Sequence, residues 1–443
     1  RSRSRSNALW EGAEDLGIRA PFGAQTDLAA LFLERSLELL APGGHLCALV
    51  PAKLFRSLHG AALRQELMEH DLLRLEDHSD ADRRMFDATV YPAILHARKV
   101  ADQRLPARRH RRSGRPRAPR RLGTTPAVEV TTWRGRRASS WAAPKRSLPA
   151  IADTPGAPWL LLSGDVSHVI DEMRARSAPM GSVDALQPRR GFFTGCNRVF
   201  LTDQEQVRRR LGDDWRTWTR RVARGRDCRA WDASASDLVW WGYDADLDPD
   251  ENVPAAFRAY FEEHRAQLES RSDYRQGEPL WQLFRLKPGL TQPKVLWRDL
   301  SPRLEAAFAG PELVPLNTVY FVPFEESCHA RIFEALLNSE PVRAVAYALG
   351  ERARGGWRRH FSWVMCMLPV PQGVVDALDN SRGVERLVSP EELAVLDGAS
   401  IAEKQVVADE LGRRWFGLDA SDIERLRRWR CAEDVSTSVE VAA

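Results

Sequence analysis

The chain has 443 residues, of which 43% are hydrophobic and 28% are charged, and its formal net charge is +4. These values are typical of globular proteins and exclude fibrous or largely disordered chains, and the length predicts two or three domains. No apolar run approaches the roughly 20 residues of a membrane-spanning helix, so we expect no membrane segment. The six cysteines lack the short spacing of a zinc site, which predicts reduced thiols, no metal and a cytoplasmic location.

The first hundred residues predict the end of an α/β sheet. Apolar residues recur at helical spacing over 27–40, where Thr26 is the expected N-cap and a Pro-Gly-Gly turn ends the helix. The elements expected next are a strand over 45–50, a helix over 58–69, and strands over 72–76 and 90–95. Because proline cannot donate to a sheet ladder, Pro92 predicts that the last strand lies at the sheet edge.

A basic segment follows this region. Between Arg98 and Arg121 arginines recur among proline and glycine, which predicts a flexible linker or loop. Two interpretations stay open: a solvated insert with no specific role, and a segment that contacts nucleic-acid phosphates without sequence preference. We assign the whole of 98–157 to this linker.

The remainder of the chain has a globular composition rich in tryptophan and arginine. The expected strands are 198–201, 238–241, 295–297 and 318–322, and the expected helices are 254–270, 327–337 and 340–349. Alternating charges at helical apolar spacing predict two terminal helices within 386–431. The predicted domain boundaries are 1–97, 98–157, 158–380 and 381–443.

An ordered set of motifs occupies residues 27–97. It consists of D-L-x-x-x-F from Asp27 to Phe32, Pro-Gly-Gly at 42–44, a strand that ends in Pro51, Leu63-Arg64 in a helix, and Phe86 before the last strand. The order and spacing resemble the gamma-type adenine-specific (N6) DNA methyltransferases of restriction–modification and phage-defence systems. This resemblance implies an α/β fold: the C-terminal part of a Rossmann-like sheet that uses S-adenosylmethionine, followed by a mixed α/β target-recognition domain.

The resemblance also implies roles for individual residues. Leu28, Phe32, Pro51 and Lys53 match positions that bind S-adenosylmethionine, with Phe32 as the aromatic ring that packs on its adenine. Phe86 matches the aromatic residue that stacks on the extruded target base. The alternatives are that Phe32 is a core residue, Phe86 a hydrophobic residue of a hairpin and Lys53 a surface lysine.

Two motifs of that family are absent from the sequence. The 443 residues contain neither the glycine-rich cofactor loop nor an Asn/Asp-Pro-Pro-aromatic tetrapeptide, and the segment Asn7 to Trp10 has no proline. The resemblance therefore implies a C-terminal fragment, a split subunit or a truncated product. We expect that S-adenosylmethionine binds only with the missing half, and that residues 1–100 alone are unstable or need a partner. That partner is an upstream-encoded methyltransferase half or a restriction subunit.

Residues 159–371 resemble the target-recognition domain of the same enzymes. Six short motifs lie in the family's order: G-x-x-T-G-x-N-x-x-F from Gly191, R-G-R-D from Arg224, K-V-L-W-R up to Arg298, P-L-N-T around Asn317, L-N-S from Leu337, and R-G-G-W-R-R from Arg354. The candidate contacts to double-stranded DNA are Arg189, Arg190, Thr194, Asn197, Arg224, Arg226, Arg298, Asn317, Arg354, Arg358 and Arg359. The asparagines have the alternative of capping turns, and Asp227 is expected to orient Arg226 or its own loop.

Three functions fit the sequence to different degrees. The resemblance favours a site-specific adenine-N6 DNA methyltransferase. The alternative is a non-catalytic, sequence-specific DNA-binding subunit or a truncated remnant, which shares the DNA surface but needs no cofactor. An arginine-rich RNA-binding protein is disfavoured because no RNA-binding module signature is present.

Overall fold

The computed structural model describes residues 27–81, 86, 90–101, 127–154, 156–353, 356–380 and 384–431. It has a mixed α/β fold that divides into two compact units. Unit 1 contains the chain up to Ala175 together with 348–357 and the segment from Ala420 onwards, and unit 2 contains 176–347 and 358–419. Among the described residues, no helix has the length and apolar character to cross a membrane.

Unit 1 is built on a five-stranded sheet. Its strands are β1 (His45–Pro51), β2 (Asp71–Ala81), β3 (Pro92–Arg98), β4 (Ala127–Gly135) and β5 (Arg137–Pro144). Their order is β1-β3-β2-β4-β5, with β2 and β4 parallel and the other pairs antiparallel. Because β3 is antiparallel to both β1 and β2, the carboxyl ends of β1 and β2 lie at the same edge of the sheet.

Short helices complete unit 1. They are α1 (Leu28–Leu39), α2 (Lys53–Arg56), α3 (Ala61–Met68) and α4 (Gly164–Ala175), and the unit also holds the strand Glu351–Ala353 and the helix Ala420–Cys431. Helix α1 begins after Asp27, whose carboxylate accepts a hydrogen bond from the Ala29 amide. Asp27 therefore caps the helix in place of Thr26, which lies outside the described residues. Leu33, Leu67 and Trp159 are buried in the core of the unit.

Two predictions for this unit are wrong. Strand β3 lies between β1 and β2, not at the edge. Pro92 is tolerated there because it is the first residue of the strand, opposite Pro51, where the ladder begins. The segment 127–144, predicted as part of a linker, forms β4 and β5, and Val128 and Val130 of β4 are fully buried. The basic segment 102–126 lies outside the described residues.

Unit 2 contains several small sheets. Its strands are β6 (Ser177–Pro179), β7 (Arg189–Arg190), β8 (Leu201–Thr202), β9 (Thr219–Ala223), β10 (Leu238–Trp240), β11 (Lys294–Arg298), β12 (Leu300–Ser301), β13 (Ala306–Ala309), β14 (Leu313–Pro315), β15 (Val319–Pro323), β16 (Trp357–Arg359, which enters the unit at Arg358) and β17 (Pro369–Pro371). Two four-stranded sheets have the orders β14-β9-β10-β8 and β13-β11-β15-β7, and β6 pairs with β17 and β12 with β16. The aromatic core of the unit includes Trp240, Trp241, Phe257 and Phe261.

The helices of unit 2 correct three further predictions. They are α5 (Asn197–Phe200), α6 (Gln204–Leu211), α7 (Ala255–Glu263), α8 (Arg265–Glu269), α9 (Ser327–Asn338), α10 (Glu340–Leu349, which leaves the unit after Tyr347), α11 (Ser362–Cys366), α12 (Gln372–Asn380), α13 (Val384–Leu387), α14 (Pro390–Gly398) and α15 (Ile401–Phe416). Residues 197–200 form a helical turn where a strand was predicted. The predicted helix over 254–270 is interrupted at His264, which has non-helical backbone angles. The terminal region forms three longer helices instead of two: α14, α15 and the helix Ala420–Cys431.

Candidate active-site cavity and nucleic-acid interface

A cavity of about 250 Å³ lies in unit 1 at the carboxyl ends of β1 and β2. It is lined by Pro51, Lys53, Arg56, Ser79, Val90, Tyr91, Glu351 and Arg352. The Ala52 amide donates a hydrogen bond of 2.8 Å to the carbonyl of Tyr91, which fixes the residue before β3 beside the end of β1. This edge is where open α/β sheets bind ligands. The structure thus brings the sequence-predicted Pro51 and Lys53 into one concave site.

A network of buried ion pairs borders this cavity. Arg56 Nη2 lies 2.6 Å from the Asp77 carboxylate, and Arg352 forms a bidentate pair with Asp80 and lies 3.9 Å from Asp77. The Ser79 amide donates a hydrogen bond of 2.9 Å to Asp77, as does its hydroxyl. The exposed fractions of these charged side chains are 14% or less. The positive charges of two arginines and the negative charges of two carboxylates therefore neutralise one another where little solvent reaches them.

The charges of the network shift the pKa of its members. Burial alone raises the pKa of Asp77, but the guanidinium groups of Arg56 and Arg352 outweigh burial and lower it to about 2. Burial and the neighbouring charge of Arg352 lower the pKa of Arg56. Asp77 is therefore a carboxylate at neutral pH, and its chemistry is that of a fixed negative charge that orients arginines.

The cofactor candidates on α1 are at the surface. Leu28 and Phe32 are 80% and 66% exposed, and with Leu39 they form one apolar face of the helix. Lys53 Nζ lies 2.7 Å from the carboxylate of Asp27, so the lysine is tied to the N-terminus of α1. The prediction that Phe32 packs on a cofactor needs an accessible ring, and the alternative that Phe32 is a core residue does not fit its exposure.

Phe86 is a described residue whose neighbours at 82–85 and 87–89 are not. Its side chain is 44% exposed. An exposed ring is available for stacking, and the role of Phe86 as a base-stacking residue stays a prediction.

In unit 2, the motif that starts at Gly191 forms a tightly packed loop. A Cβ atom at Gly191 would lie 2.3 Å from the Pro315 carbonyl oxygen, and Gly195 has a φ of +70° beside the Arg271 side chain. Both positions therefore require glycine. Thr194 is fully buried, and its hydroxyl donates to Asn197 Oδ1 at 2.7 Å and accepts from the Cys196 amide at 3.1 Å. The carboxamide oxygen of Asn197 is thus bonded to the Thr194 hydroxyl within this loop.

Arginine side chains gather around the Asn317–Thr318 turn. Arg190 Nε donates a hydrogen bond of 2.6 Å to the Asn317 carbonyl, and the Arg190 guanidinium lies over the ring of Tyr320 at 5.8 Å. The Thr318 hydroxyl accepts a 3.1 Å hydrogen bond from the Gly225 amide. The structure therefore places the motifs R-G-R-D and P-L-N-T side by side, with Arg190, the residue before the Gly191 motif, next to them.

Carboxylates orient the arginines next to this turn. Arg224 and Arg226 both pair with Asp237, at 2.8 and 2.9 Å, and Arg359 lies 3.4 Å from Asp299. Asp227 accepts a hydrogen bond of 2.9 Å from the Arg224 amide, so it orders its own loop. Burial raises the pKa of Asp299, and Arg359 and Arg190 act in the opposite direction. Arg190 and Arg226 are exposed and Arg359 is half-buried, so their guanidinium groups can reach a phosphate.

Three of the predicted DNA contacts are corrected because their side chains are buried. Thr194 is inside the loop, Arg298 is 7% exposed and pairs with Glu305, and Arg358 is 1% exposed with its guanidinium 3.5 Å from the centre of the Tyr347 ring. A buried arginine with internal partners cannot meet DNA without leaving them. Arg189 is half-buried, burial lowers its pKa, and it donates to the Pro288 carbonyl. Arg354 lies outside the described residues.

Sequence reasoning missed two arginines that organise these sites. Arg352 stands two residues before Arg354, and the aspartates Asp77 and Asp80, just after a predicted strand, were the available signal for its partners. Arg271 is buried under the Gly191–Asn197 loop and carries no motif. Arg271 donates its hydrogen bonds to backbone carbonyls, and because every residue has a carbonyl, the sequence does not reveal these partners.

The chain is similar in sequence to Type II methyltransferases. The chain is 24% identical over 369 residues to the Type II methyltransferase M.XhoI of Xanthomonas vasicola, covering 78% of this chain and 62% of that protein. It is likewise 24% identical over 368 residues to the Type II methyltransferase M.PaeR7I of Pseudomonas aeruginosa, covering 79% and 59%. The chain thus spans about three fifths of the length of these curated relatives. No family model matches it.

The fold has a solved counterpart. The type IIL restriction-modification enzyme MmeI, solved in complex with DNA, aligns with a TM-score of 0.52 at 12% identity, covering 92% of this chain and 52% of that one. At this identity the likeness concerns the fold alone. The mixed α/β architecture predicted from the sequence is confirmed.

Proposed function

We propose that this chain forms the back of the catalytic domain and the target-recognition domain of an adenine-N6 DNA methyltransferase of a restriction–modification system. The observation that carries the proposal is the cavity at the carboxyl ends of β1 and β2, which joins Pro51 and Lys53 to Tyr91, Ser79 and Arg352. The sequence similarity to Type II methyltransferases supports the same class of reaction.

The residues of α1 fit S-adenosylmethionine in chemistry. The cofactor's adenine needs a flat apolar partner, and the exposed face with Leu28 and Phe32 offers one. Lys53 pairs with Asp27 and so lies at the N-terminus of α1, close in sequence to Leu28. S-adenosylmethionine supplies the methyl group when bound. We assign no residue in the described part of this chain to contact with the target amino group.

The cavity is the proposed seat of the target base. An enzyme that modifies a base within a duplex must extrude it, and the unstacking costs a few kcal/mol that pocket contacts offset. Tyr91 and Val90 form an apolar wall and Ser79 a polar one. Phe86, on the segment between β2 and β3, is the proposed stacking partner.

The proposed DNA contacts of unit 2 are the accessible members of the predicted set. They are Arg189, Arg190, Asn197, Arg224, Arg226, Asn317 and Arg359. Arginine pairs bidentately with phosphate or guanine, and glycine-containing loops let the backbone approach. The carboxylates of Asp237 and Asp299 hold three of these arginines in place without DNA.

A second candidate function is a non-catalytic DNA-recognition subunit. It rests on the accessible arginines of unit 2, such as Arg190 and Arg226, which can contact DNA without a cofactor. It predicts the same DNA binding but no use of the cavity or of the α1 face.

Transfer of tritiated methyl groups to unmethylated bacterial genomic DNA distinguishes the two functions. The chain is assayed alone, with the polypeptide encoded immediately upstream, and as one fused polypeptide. Incorporation into N6 of adenine in the combined samples, and none with the chain alone, supports the methyltransferase. DNA binding without incorporation in any sample leaves the recognition subunit. Incorporation into cytosine would contradict the adenine specificity.

A further inference from the structure

One short segment of unit 1 is flanked in sequence on both sides by residues of unit 2. Residues 348–357 belong to unit 1, although Tyr347 before them and Arg358 after them belong to unit 2. Within the segment, the strand Glu351–Ala353 packs against α2 at the end of β1. Glu351 and Arg352 line the cavity that is proposed to receive the base. The segment therefore supplies one wall of the cavity.

Arg352 fixes the segment to the sheet. Its guanidinium forms a bidentate pair with Asp80 at the end of β2, and Asp77 lies 3.9 Å away. The side chains of Arg352 and Asp80 are 14% and 12% exposed, so water screens this pair weakly. Removing either member breaks this bidentate pair at the edge of the cavity.

We propose that Arg352 is a positioning residue that holds the strand Glu351–Ala353 as a wall of the target-base cavity, so that an extrahelical adenine is accepted only while this strand is in place. This proposal rests on the proposed function. The chain continues from the segment directly into Arg358 and Arg359, so the residue that completes the cavity and a proposed DNA contact are seven positions apart in sequence. Arg352 acts through Glu351 and the backbone around it, not by touching the reacting atoms.

The other end of β2 offers a matched control. Asp71, the first residue of that strand, pairs with Arg98 at 2.7 Å, and Arg98 is not among the residues that line the cavity. The Arg98→Met variant removes an arginine–aspartate pair from the same sheet at a distance from the site. A general loss of sheet stability affects both variants, whereas a positioning role affects Arg352 alone.

The experiment uses the active combination of this chain with its upstream polypeptide and compares wild type with Arg352→Met, Arg352→Lys, Asp80→Asn and Arg98→Met. We expect Arg352→Met and Asp80→Asn to lower kcat for methyl transfer at least tenfold, while KM for S-adenosylmethionine changes less than twofold. Arg352→Lys restores part of kcat, because lysine keeps the charge but not the bidentate geometry. Arg98→Met keeps wild-type kcat.

A spectroscopic measurement reports on the base directly. Once the methylated adenine is mapped, 2-aminopurine is placed there in a duplex, and its emission rises when the base leaves the stack. We expect wild type and Arg98→Met to raise the emission and Arg352→Met to bind the duplex with at most half of that rise. Equal emission and equal kcat in Arg352→Met and wild type overturn the proposal. If Arg352→Met does not fold, the folded Arg352→Lys variant must show the intermediate kcat, and wild-type kinetics in it overturn the proposal. An inactive wild type refutes the proposed function itself, and this inference with it.

Discussion

Arg271 donates a hydrogen bond of 2.8 Å from Nη1 to the carbonyl of Thr194, in the middle of the glycine-rich loop of unit 2. The same side chain donates to the carbonyls of Leu268, Leu280 and Gln282 at 2.7–3.0 Å. Its guanidinium also lies 5.0 and 4.8 Å from the ring centres of Phe200 and Phe284. One buried cation therefore joins three stretches of the chain, at Thr194, Leu268 and 280–282.

Replacing Arg271 with methionine is expected to destabilise the protein strongly. Methionine fills part of the volume but leaves four carbonyls without their donor, and each buried unsatisfied group costs about 1–3 kcal/mol, not additively. We expect the free energy of unfolding to fall by about 3 kcal/mol or more in urea titrations. Arg265→Met is the control, because Arg265 is an exposed arginine on α8 that pairs with Glu262 and Glu269. An equal loss of unfolding free energy in Arg271→Met and Arg265→Met would contradict the assigned role of Arg271.

Asp77 gives the protein a dependence of stability on acid pH. Its folded pKa of about 2 lies below the ordinary value of 3.8. The carboxylate therefore favours the folded state above pH 3.8, and this contribution is lost as the pH falls from 3.8 to about 2. The difference corresponds to about 2 kcal/mol. Asp77→Asn should lower stability at pH 7, because Arg56 loses its ion-pair partner and Arg352 loses a nearby negative charge. It should also flatten the decline between pH 4 and 2.

Unfolding measured by circular dichroism across this pH range tests the Asp77 prediction. Glu38→Gln is the control, since Glu38 forms an exposed pair with Arg35 and is expected to change stability by less than about 0.5 kcal/mol. An unchanged pH profile in Asp77→Asn would mean that the ion network does not form.

His360 is expected to make stability depend on pH over a higher range than Asp77 does. The imidazole is fully buried, and burial together with the charges of Arg358 and Arg298 lowers its pKa to about 3. In the folded protein the imidazole of His360 stays neutral, whereas in the unfolded chain it binds a proton below pH 6.5. The free energy of unfolding therefore decreases as the pH falls from 6.5 towards 3. One extra proton on the unfolded chain gives a slope of about 1.4 kcal/mol per pH unit.

The substitution His360→Leu isolates this effect. Leucine cannot be protonated, so its variant should lose less stability than wild type between pH 6 and 4, while the two differ little at pH 7.5. Thermal unfolding in buffers of constant ionic strength measures this. Parallel curves for the two proteins would show that the imidazole titrates normally.

Arg190 and Arg359 are expected to contribute phosphate contacts. Each contact to duplex DNA adds about 0.9 to the slope of log affinity against log salt concentration. Arg190→Ala and Arg359→Ala should each weaken binding and reduce that slope by about 1, measured by fluorescence anisotropy of a labelled duplex at several salt concentrations. Arg209→Ala, on the exposed face of α6 beside Glu205, should leave the slope unchanged. The same slope in wild type and all three variants would mean that Arg190 and Arg359 do not contact the DNA phosphates.

Elements with a long apolar repeat were predicted well from sequence. The helix over 27–40 and the helices that became α9 and α10 have buried residues at regular helical spacing, and the pattern marks them. Strand β5 was missed because most of its residues are exposed, so no alternation signals it. The three terminal helices could have been separated by their capping boxes, Ser389 with Glu392 and Ser400 with Glu403.

The site was predicted less completely because accessibility depends on contacts between distant residues. Arg358 and Arg359 are neighbours of the same type, yet one is buried on Tyr347 and the other meets Asp299. Successive residues of a strand point to opposite faces, so the two arginines have different surroundings. Which face is outward is decided by Tyr347, and no local pattern reveals it.

Phe32 provides the sharpest separation of the cofactor role from a core role. Phe32 is 66% exposed, whereas the next residue, Leu33, is 1% exposed in the core of unit 1. Phe32→Ser should change the free energy of unfolding of the chain by less than about 0.5 kcal/mol, because little buried surface is lost. Leu33→Ser should cost about 2–5 kcal/mol, since it removes buried methyl groups and buries a hydroxyl. In the active combination with the upstream polypeptide, Phe32→Ser is expected to raise KM for S-adenosylmethionine at least tenfold. A stable Phe32→Ser variant with unchanged KM would remove Phe32 from the cofactor site, and the exposed face of α1 would then need another occupant.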